Sequence, residues 1–183
     1  MRSRNLTGKF VKQIVKYVKG TAAYGLEYGG TEVKLSACTA SDYAADEDER
    51  KSVSGYATFI GNCAVTWSSR KQRIVAQSTA EAESIVLAHC TQEVLYIRQL
   101  LLELEYEQEE TRIFEDNQAC IAIAENPTQH SRKKHIDVRY HFIREYVRAK
   151  SIVLEYVASK SNTADTFTKG LAKDPFELLR GRL

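Results

Sequence analysis

Three short strand-like runs lead into one long helical pattern, and that order narrows the folds open to this chain. The runs are Glu32 to Ala40, Gly55 to Ile60 and Ala64 to Ser68. In the second, Tyr56, Thr58 and Ile60 alternate with small or apolar neighbours, and Gly61-Asn62 is a turn signal into the third. Short connections join antiparallel neighbours, so the runs predict a meander. A sheet with an apolar face needs a cover. The pattern from Thr79 to Leu104 supplies one, with Ala82, Ile85, Val86, Val94, Ile97, Leu100, Leu101 and Leu104 on an apolar face. A fourth strand, Thr111 to Glu115, follows, then a short helix from Asn117 to Glu125 that Asn126-Pro127 ends. A basic loop fills 128–136, and a helix spans Asp137 to Lys150. A fifth strand runs over Ser151–Val157, and a last helix starts across Ser161–Lys169. The order predicts an α/β fold: a five-stranded mixed sheet, three antiparallel strands first, flanked by helices.

Ahead of this lies a helical appendage. Val11, Ile14, Val15 and Val18 recur at helical spacing among Lys9, Lys12, Lys16 and Lys19. Gly20 is a stop signal, and Gly29-Gly30 marks a boundary. The length of 183 residues suits one domain with such an extension. No apolar run reaches the ~20 residues of a membrane span, and no secretory signal opens the chain, so no membrane partner is expected. Cys38, Cys63, Cys90 and Cys120 are scattered without a Cys-x-x-Cys pair. They read as reduced thiols of an intracellular protein, and zinc-finger or ribbon spacing is absent.

The net charge of +2 hides an uneven distribution. Residues 129–150 hold seven Lys/Arg and three of the four histidines against two acids. Residues 102–110 carry five glutamates. The basic stretch is compatible with phosphate binding, and equally with a solvated face.

Three carboxylates stand out. Ser78 with Glu81 is a capping-box pattern, which explains Glu81 but not Glu83. Asp116 follows the fourth strand, and Asp165 opens the last helix. Ligands of open α/β sheets sit beyond the carboxyl ends of the strands. Carboxylates gathered there repel one another unless a divalent cation neutralises them. Each has a second explanation. Asp116-Asn117 and Asn162 with Asp165 are also capping pairs, and Glu83 could be a solvated helix residue.

Longer runs carry a family resemblance. They include Asp42-Tyr43-Ala44-Ala45-Asp46, Arg50-Lys51-Ser52-Val53-Ser54-Gly55-Tyr56 and Trp67-Ser68-Ser69-Arg70-Lys71-Gln72. Ser78-Thr79-Ala80-Glu81-Ala82-Glu83, Glu115-Asp116-Asn117-Gln118, the run from Lys134 to Glu145, and Ala164-Asp165-Thr166-Phe167-Thr168-Lys169 complete the set. From about Lys9 to Leu171 the chain resembles the ribonuclease H domain that ends copia-type retrotransposon polyproteins. Residues 9–28 resemble the last part of the adjoining reverse transcriptase region. The resemblance divides the chain into a residual helix and linker (1–30), a ribonuclease H-like domain (31–172) and a tail (173–183), and it implies a polyprotein fragment without protease or integrase.

The same resemblance implies hydrolysis of RNA in RNA–DNA hybrids with two Mg²⁺ ions, or Mn²⁺ in their place. Glu83, Asp116 and Asp165 map to the family's metal-binding and catalytic carboxylates. His135 maps to a mobile histidine that assists product release, and Arg132, Lys133, Lys134 and Arg139 are candidates for nucleic-acid contact. The expected partners are the hybrid and the reverse transcriptase region, in the cytoplasm within a retroelement particle. One departure cuts across this. The family reads Tyr-Thr-Asp-Ala-Asp on its first strand, and this chain reads Cys38-Thr39-Ala40-Ser41-Asp42. The metal-bridging position holds Ala40. Asp42 matches the second aspartate and is the remaining candidate there, but strand residues two apart stand ~6.5–7 Å apart. The expectation is an impaired ribonuclease H, and the alternative is a catalytically dead nucleic-acid-binding remnant or repurposed domain.

Overall fold

In the computed structural model, five strands form one sheet: β1 (Leu35–Asp42), β2 (Val53–Ile60), β3 (Cys63–Lys71), β4 (Thr111–Glu115) and β5 (Ile152–Tyr156). Residues 2–29, 32–126 and 134–183 are described, residues 2–7 and 134–137 by their backbone alone. The strand order is β3-β2-β1-β4-β5. β1, β2 and β3 form the antiparallel meander, while β4 runs parallel to β1 and β5 parallel to β4. Gly61 makes the β2–β3 turn with φ of +62°, a conformation that favours glycine. The sheet is thus mixed, as the sequence predicts.

β1 is displaced from its expected bounds, beginning at Leu35 and continuing past Ala40 to Asp42. At its start, the Gln108 side chain accepts from Leu35 N and donates to Val33 O, tying down the approach to the strand without sheet pairing. At its end, Asp42 pairs with Val53, because β2 also starts earlier than its alternation suggests.

Helix α2 (Thr79–Glu103) crosses one face of the sheet. Its Leu87, Cys90, Val94 and Ile97 join Leu35, Ala37 and Ile113 in the main core. α3 (Gln118–Glu125) and α4 (Lys134–Arg148) add Cys120, Ala124, Tyr140 and Ile143 to the same core. The other face carries a thin layer of small residues, Cys38, Ala40, Ala57 and Ala164. It is thin because the segment after β5 lies close against the sheet. A Cβ built on Gly55 would come within 2.7 Å of Thr168 Cγ2 and 2.8 Å of Phe167 Cβ.

That segment is not the regular helix that the Ser161–Lys169 pattern predicts. It forms two short 3₁₀ turns, Ser159–Ser161 and Thr163–Phe167. Asn162 sits between them. Its Oδ1 accepts from Ala164 N, and its Nδ2 donates to Thr39 O at 2.7 Å. The cap is as expected, but the same side chain anchors the turn to β1, and the chain follows the sheet instead of winding on.

The appendage forms α1 (Arg2–Gly20), with Phe10, Val11, Ile14, Val15 and Val18 exposed. The tail forms α5 (Lys173–Arg180). The Arg180 guanidinium lies over the rings of Tyr17, Tyr24 and Phe176, and Leu183 O accepts from Ala64 N, so the chain end meets both α1 and β3. All four cysteines are buried and free. Among the described residues, no helix is long and apolar enough to cross a membrane.

Candidate metal centre

The first turn of α2 positions Glu83. Ser78 Oγ accepts from Glu81 N, and the Glu81 carboxylate folds back to accept from Gln77 N. Gln72 Nε2 donates to Ala82 O and Ser54 Oγ, which pins this turn to β2. The Tyr140 hydroxyl donates to Ala80 O from the α4 side. Two residues beyond Glu81, Glu83 turns to the sheet and accepts from Ser41 N at 3.1 Å through Oε1. Glu81 is thus a capping residue, as its spacing from Ser78 predicts, and Glu83 reaches the end of β1.

Because β1 and β4 are parallel, their carboxyl ends lie side by side. Glu115 closes β4, and Asp116 follows it. Glu83, Glu115 and Asp116 each present a carboxylate oxygen, all within 4.8 Å of one another. Thr39 Oγ1 donates to Glu115 Oε2 at 2.8 Å, and Asn117 N donates to Oε1 at 2.9 Å. Glu115 is fully buried and Glu83 is 5% exposed. Burial, then the charges of Glu115 and Asp116, holds Glu83 well above the usual carboxylate range, with Ser41 N pulling the other way. Burial does the same to Glu115, against the lowering effect of its bonds to Thr39 and Asn117.

Asp165 approaches from the opposite layer, on the second 3₁₀ turn. It is buried and pairs with Lys169 at 2.8 Å. Burial raises its pKa, Lys169 opposes this, and Asp116 and Asp42 add to the rise. Burial works against the charge of Lys169, but Asp165, Asp42 and Asp116 outweigh it and raise its pKa. The acids therefore form two overlapping groups. Glu83, Glu115 and Asp116 are tightly gathered, and Lys169 pairs with Asp165 and feels the charges of Asp42 and Asp116.

Ala40 is fully buried among Cys38, Ala57 and Ala164. The β1–β2 register is continuous from Leu35 to Asp42; the irregularity lies between β2 and β3, at Thr58 and Phe59. No bulge moves Asp42 into the place of residue 40, and Asp42 is not one of the three gathered carboxylates.

Among the nucleic-acid candidates, Arg132 and Lys133 lie outside the described residues, as do the side chains of Lys134 and His135. Arg139 is half-buried, with Nη1 lacking a hydrogen-bond partner among the described residues. Neighbours that partly desolvate His89, then the charges of Arg139, Arg70 and Arg73, lower its pKa. That basic group joins β3, the loop after it, α2 and α4. Its members are too far apart in sequence to signal one another. Glu115 escaped notice differently, since adjacent Asp116 already fitted the expected pattern.

The gathered donors fit a hard divalent cation. Two oxygens opposite each other around Mg²⁺ stand about 4.2 Å apart, and the three donors here lie within 4.8 Å of one another. Glu83 Oε2 is buried without a hydrogen-bond partner among the described residues, which a cation would remedy. All the donors are carboxylates, suiting Mg²⁺ or Mn²⁺.

The sheet order and its two flanking layers are those of the ribonuclease H fold. LC11 ribonuclease H1, isolated from compost by a metagenomic approach, matches 74% of this chain and 93% of its own at a TM-score of 0.56 and 14% identity. The same enzyme in complex with an RNA/DNA hybrid also gives 0.56, at 12% identity, over 74% of this chain and 94% of its own. The N-terminal ribonuclease H domain of a Mycobacterium tuberculosis protein gives 0.52, at 12% identity, over 81% and 98%. More particularly, the chain is similar to a part of retrovirus-related Pol polyproteins. It is 38% identical over 170 residues to that of transposon TNT 1-94 from Nicotiana tabacum, covering 93% of this chain. It is 37% identical over 172 residues to that of transposon RE1 from Arabidopsis thaliana, covering 91%. The chain spans 13% and 12% of those relatives' lengths. No protein-family profile matches it.

Proposed function

We propose that this chain is the ribonuclease H domain of a retroelement polyprotein, that it hydrolyses the RNA strand of RNA–DNA hybrids with Mg²⁺, and that Ala40 impairs this copy. The reading rests on one observation: Glu83, Asp116 and Asp165 converge from α2, β4 and the segment after β5 on the carboxyl ends of two parallel strands. When bound, two Mg²⁺ ions would supply an activated water and stabilise the leaving oxygen. Glu83 and Asp116 would hold cations from the helix side, and Asp165, once released from Lys169, from the other. Arg70, Arg73 and Arg139 would attract the polyanion. The hybrid in complex with LC11 ribonuclease H1 makes it the natural first substrate to try. The similarity to Pol polyproteins supports the reverse transcriptase region as a proposed partner, and an intracellular retroelement particle is the proposed setting.

Binding without cleavage is the second reading. The apolar packing of Ala40 and the Asp165–Lys169 pair favour it, since both leave the site short of free carboxylates. Cleavage of a labelled hybrid in Mg²⁺ separates the two. The unmodified chain is expected to cut weakly. Ala40→Asp should raise the rate about a thousandfold if a bridging carboxylate is worth ~4 kcal/mol in the transition state. Robust cleavage by the unmodified chain, abolished by Asp42→Asn, would show that Asp42 has taken over. Salt-dependent binding with no cleavage by any variant would establish the second reading.

A further inference from the structure

We propose that Glu115 is a cation ligand of this chain, forming with Glu83 and Asp116 a divalent-cation site that replaces the carboxylate missing at position 40. The proposal deepens the ribonuclease H reading and rests on it for the kind of cation. Three observations carry it. The ligand oxygens of the three residues lie within 4.8 Å of one another, the spacing of donors around one ion. Glu83 is 5% exposed, its Oε1 accepts from Ser41 N, and its Oε2 is buried without a hydrogen-bond partner among the described residues. Position 40 supplies no ligand oxygen, because alanine carries only a methyl group, here packed with Cys38, Ala57 and Ala164.

Glu115 comes from the strand next to β1, and Thr39 links the two. The Thr39 hydroxyl, beside Ala40, donates to Glu115 Oε2 and aims the carboxylate along the β1–β4 seam. Asn117 N holds Oε1. Each carboxylate oxygen has capacity for a cation beside one hydrogen bond. A purely structural Glu115 would be a fully buried acid next to two others, an arrangement that repels itself. One cation shared by the three removes the repulsion and supplies the missing partner of Glu83.

Mn²⁺ is the probe, read by electron paramagnetic resonance of the free ion with the full chain and no nucleic acid. The unmodified chain should bind one ion through this group. Glu115→Gln keeps the shape, with its oxygen still accepting from Asn117 N and its amide donating to the Thr39 hydroxyl, so its melting temperature without metal should not fall. Its Mn²⁺ affinity should drop at least about tenfold. Adding Ala40→Asp to Glu115→Gln should restore most of that affinity, since either carboxylate can complete the site. Unchanged affinity in Glu115→Gln, no Mn²⁺ binding by the unmodified chain, or no recovery in the double variant would each overturn the proposal. Hybrid cleavage is scored separately. Glu115-dependent Mn²⁺ binding in a chain that never cuts would remove the nuclease reading and leave the cation site. Cleavage with Glu115-independent binding would do the reverse.

Discussion

Glu83 and Glu115 are carboxyls that the fold keeps out of water, and this gives the protein a particular response to pH. Burial raises both folded pKa values above the ordinary 4.5. Above that pH the unfolded chain has released these protons while the folded chain still holds them. Folding then takes up protons, so stability falls as pH rises, by about 1.4 kcal/mol per pH unit for each proton retained. Below 4.5 both states are protonated and the effect vanishes. His89 acts in the opposite sense, because its folded pKa is lowered from 6.5, but it adds nothing further above that value. Without metal, the melting temperature should therefore decline most clearly from about pH 6.5 to 8. Saturating Mn²⁺ should remove most of the decline, and Glu83→Gln should remove part of it without metal. A flat profile in calorimetry would mean that these carboxyls ionise freely in the folded state.

At the scale of elements, the close approach of the 163–168 segment to the sheet sets where Asp165 lies. Gly55 faces Ala40 across the β1–β2 pair, and the space above it is taken by Thr168, Phe167 and Ala164 O at 3.0 Å. Gly55→Ala should push this segment outward. The expected loss is about 1–3 kcal/mol, typical of overpacking. Asp165 would move with it, so any hybrid cleavage by the Ala40→Asp chain should fall further than stability alone explains. Chemical denaturation and cleavage on the same sample test both, and an unperturbed Gly55→Ala protein would show that the segment yields freely. The same stretch marks the limit of what the sequence discloses. The alternation of β2, the apolar face of α2 and the Ser78–Glu81 cap are local signals that the structure follows, except that β2 starts two residues earlier and Leu100 and Leu104 at the end of α2 are exposed. The 3₁₀ turns depend on Asn162 reaching a carbonyl on β1, a contact 123 residues away in sequence. Glu115 reads as an ordinary strand end until Thr39 and Glu83 are placed beside it. Local patterns thus reveal the elements and Glu83, while contacts between elements decide the partners of Asp165 and the role of Glu115.

At the scale of the molecule, an acidic group and a basic group occupy different places although the net charge is only +2. Carboxylates close the seam of β1 and β4, whereas Arg70, Arg73 and Arg139 gather around His89. A polyanion approaching the acidic seam would be repelled unless cations fill it and basic groups hold the backbone nearby. Two separable contributions to hybrid affinity follow. The basic contribution should obey counterion release, with log K falling linearly in log salt by roughly 0.9 per phosphate contact on a duplex. Arg70→Ala with Arg73→Ala should flatten that slope by one to two contacts, and Lys133→Ala with Lys134→Ala should do likewise if residues 128–136 also hold phosphates. The acidic contribution should appear as a dependence on divalent cation that these substitutions leave in place. Titrations of hybrid at several salt concentrations, with and without Mg²⁺, resolve the two. An unchanged slope in the Arg70/Arg73 variant would move the nucleic acid away from the β3–α2 side, and with it the argument that this basic group serves the acidic seam.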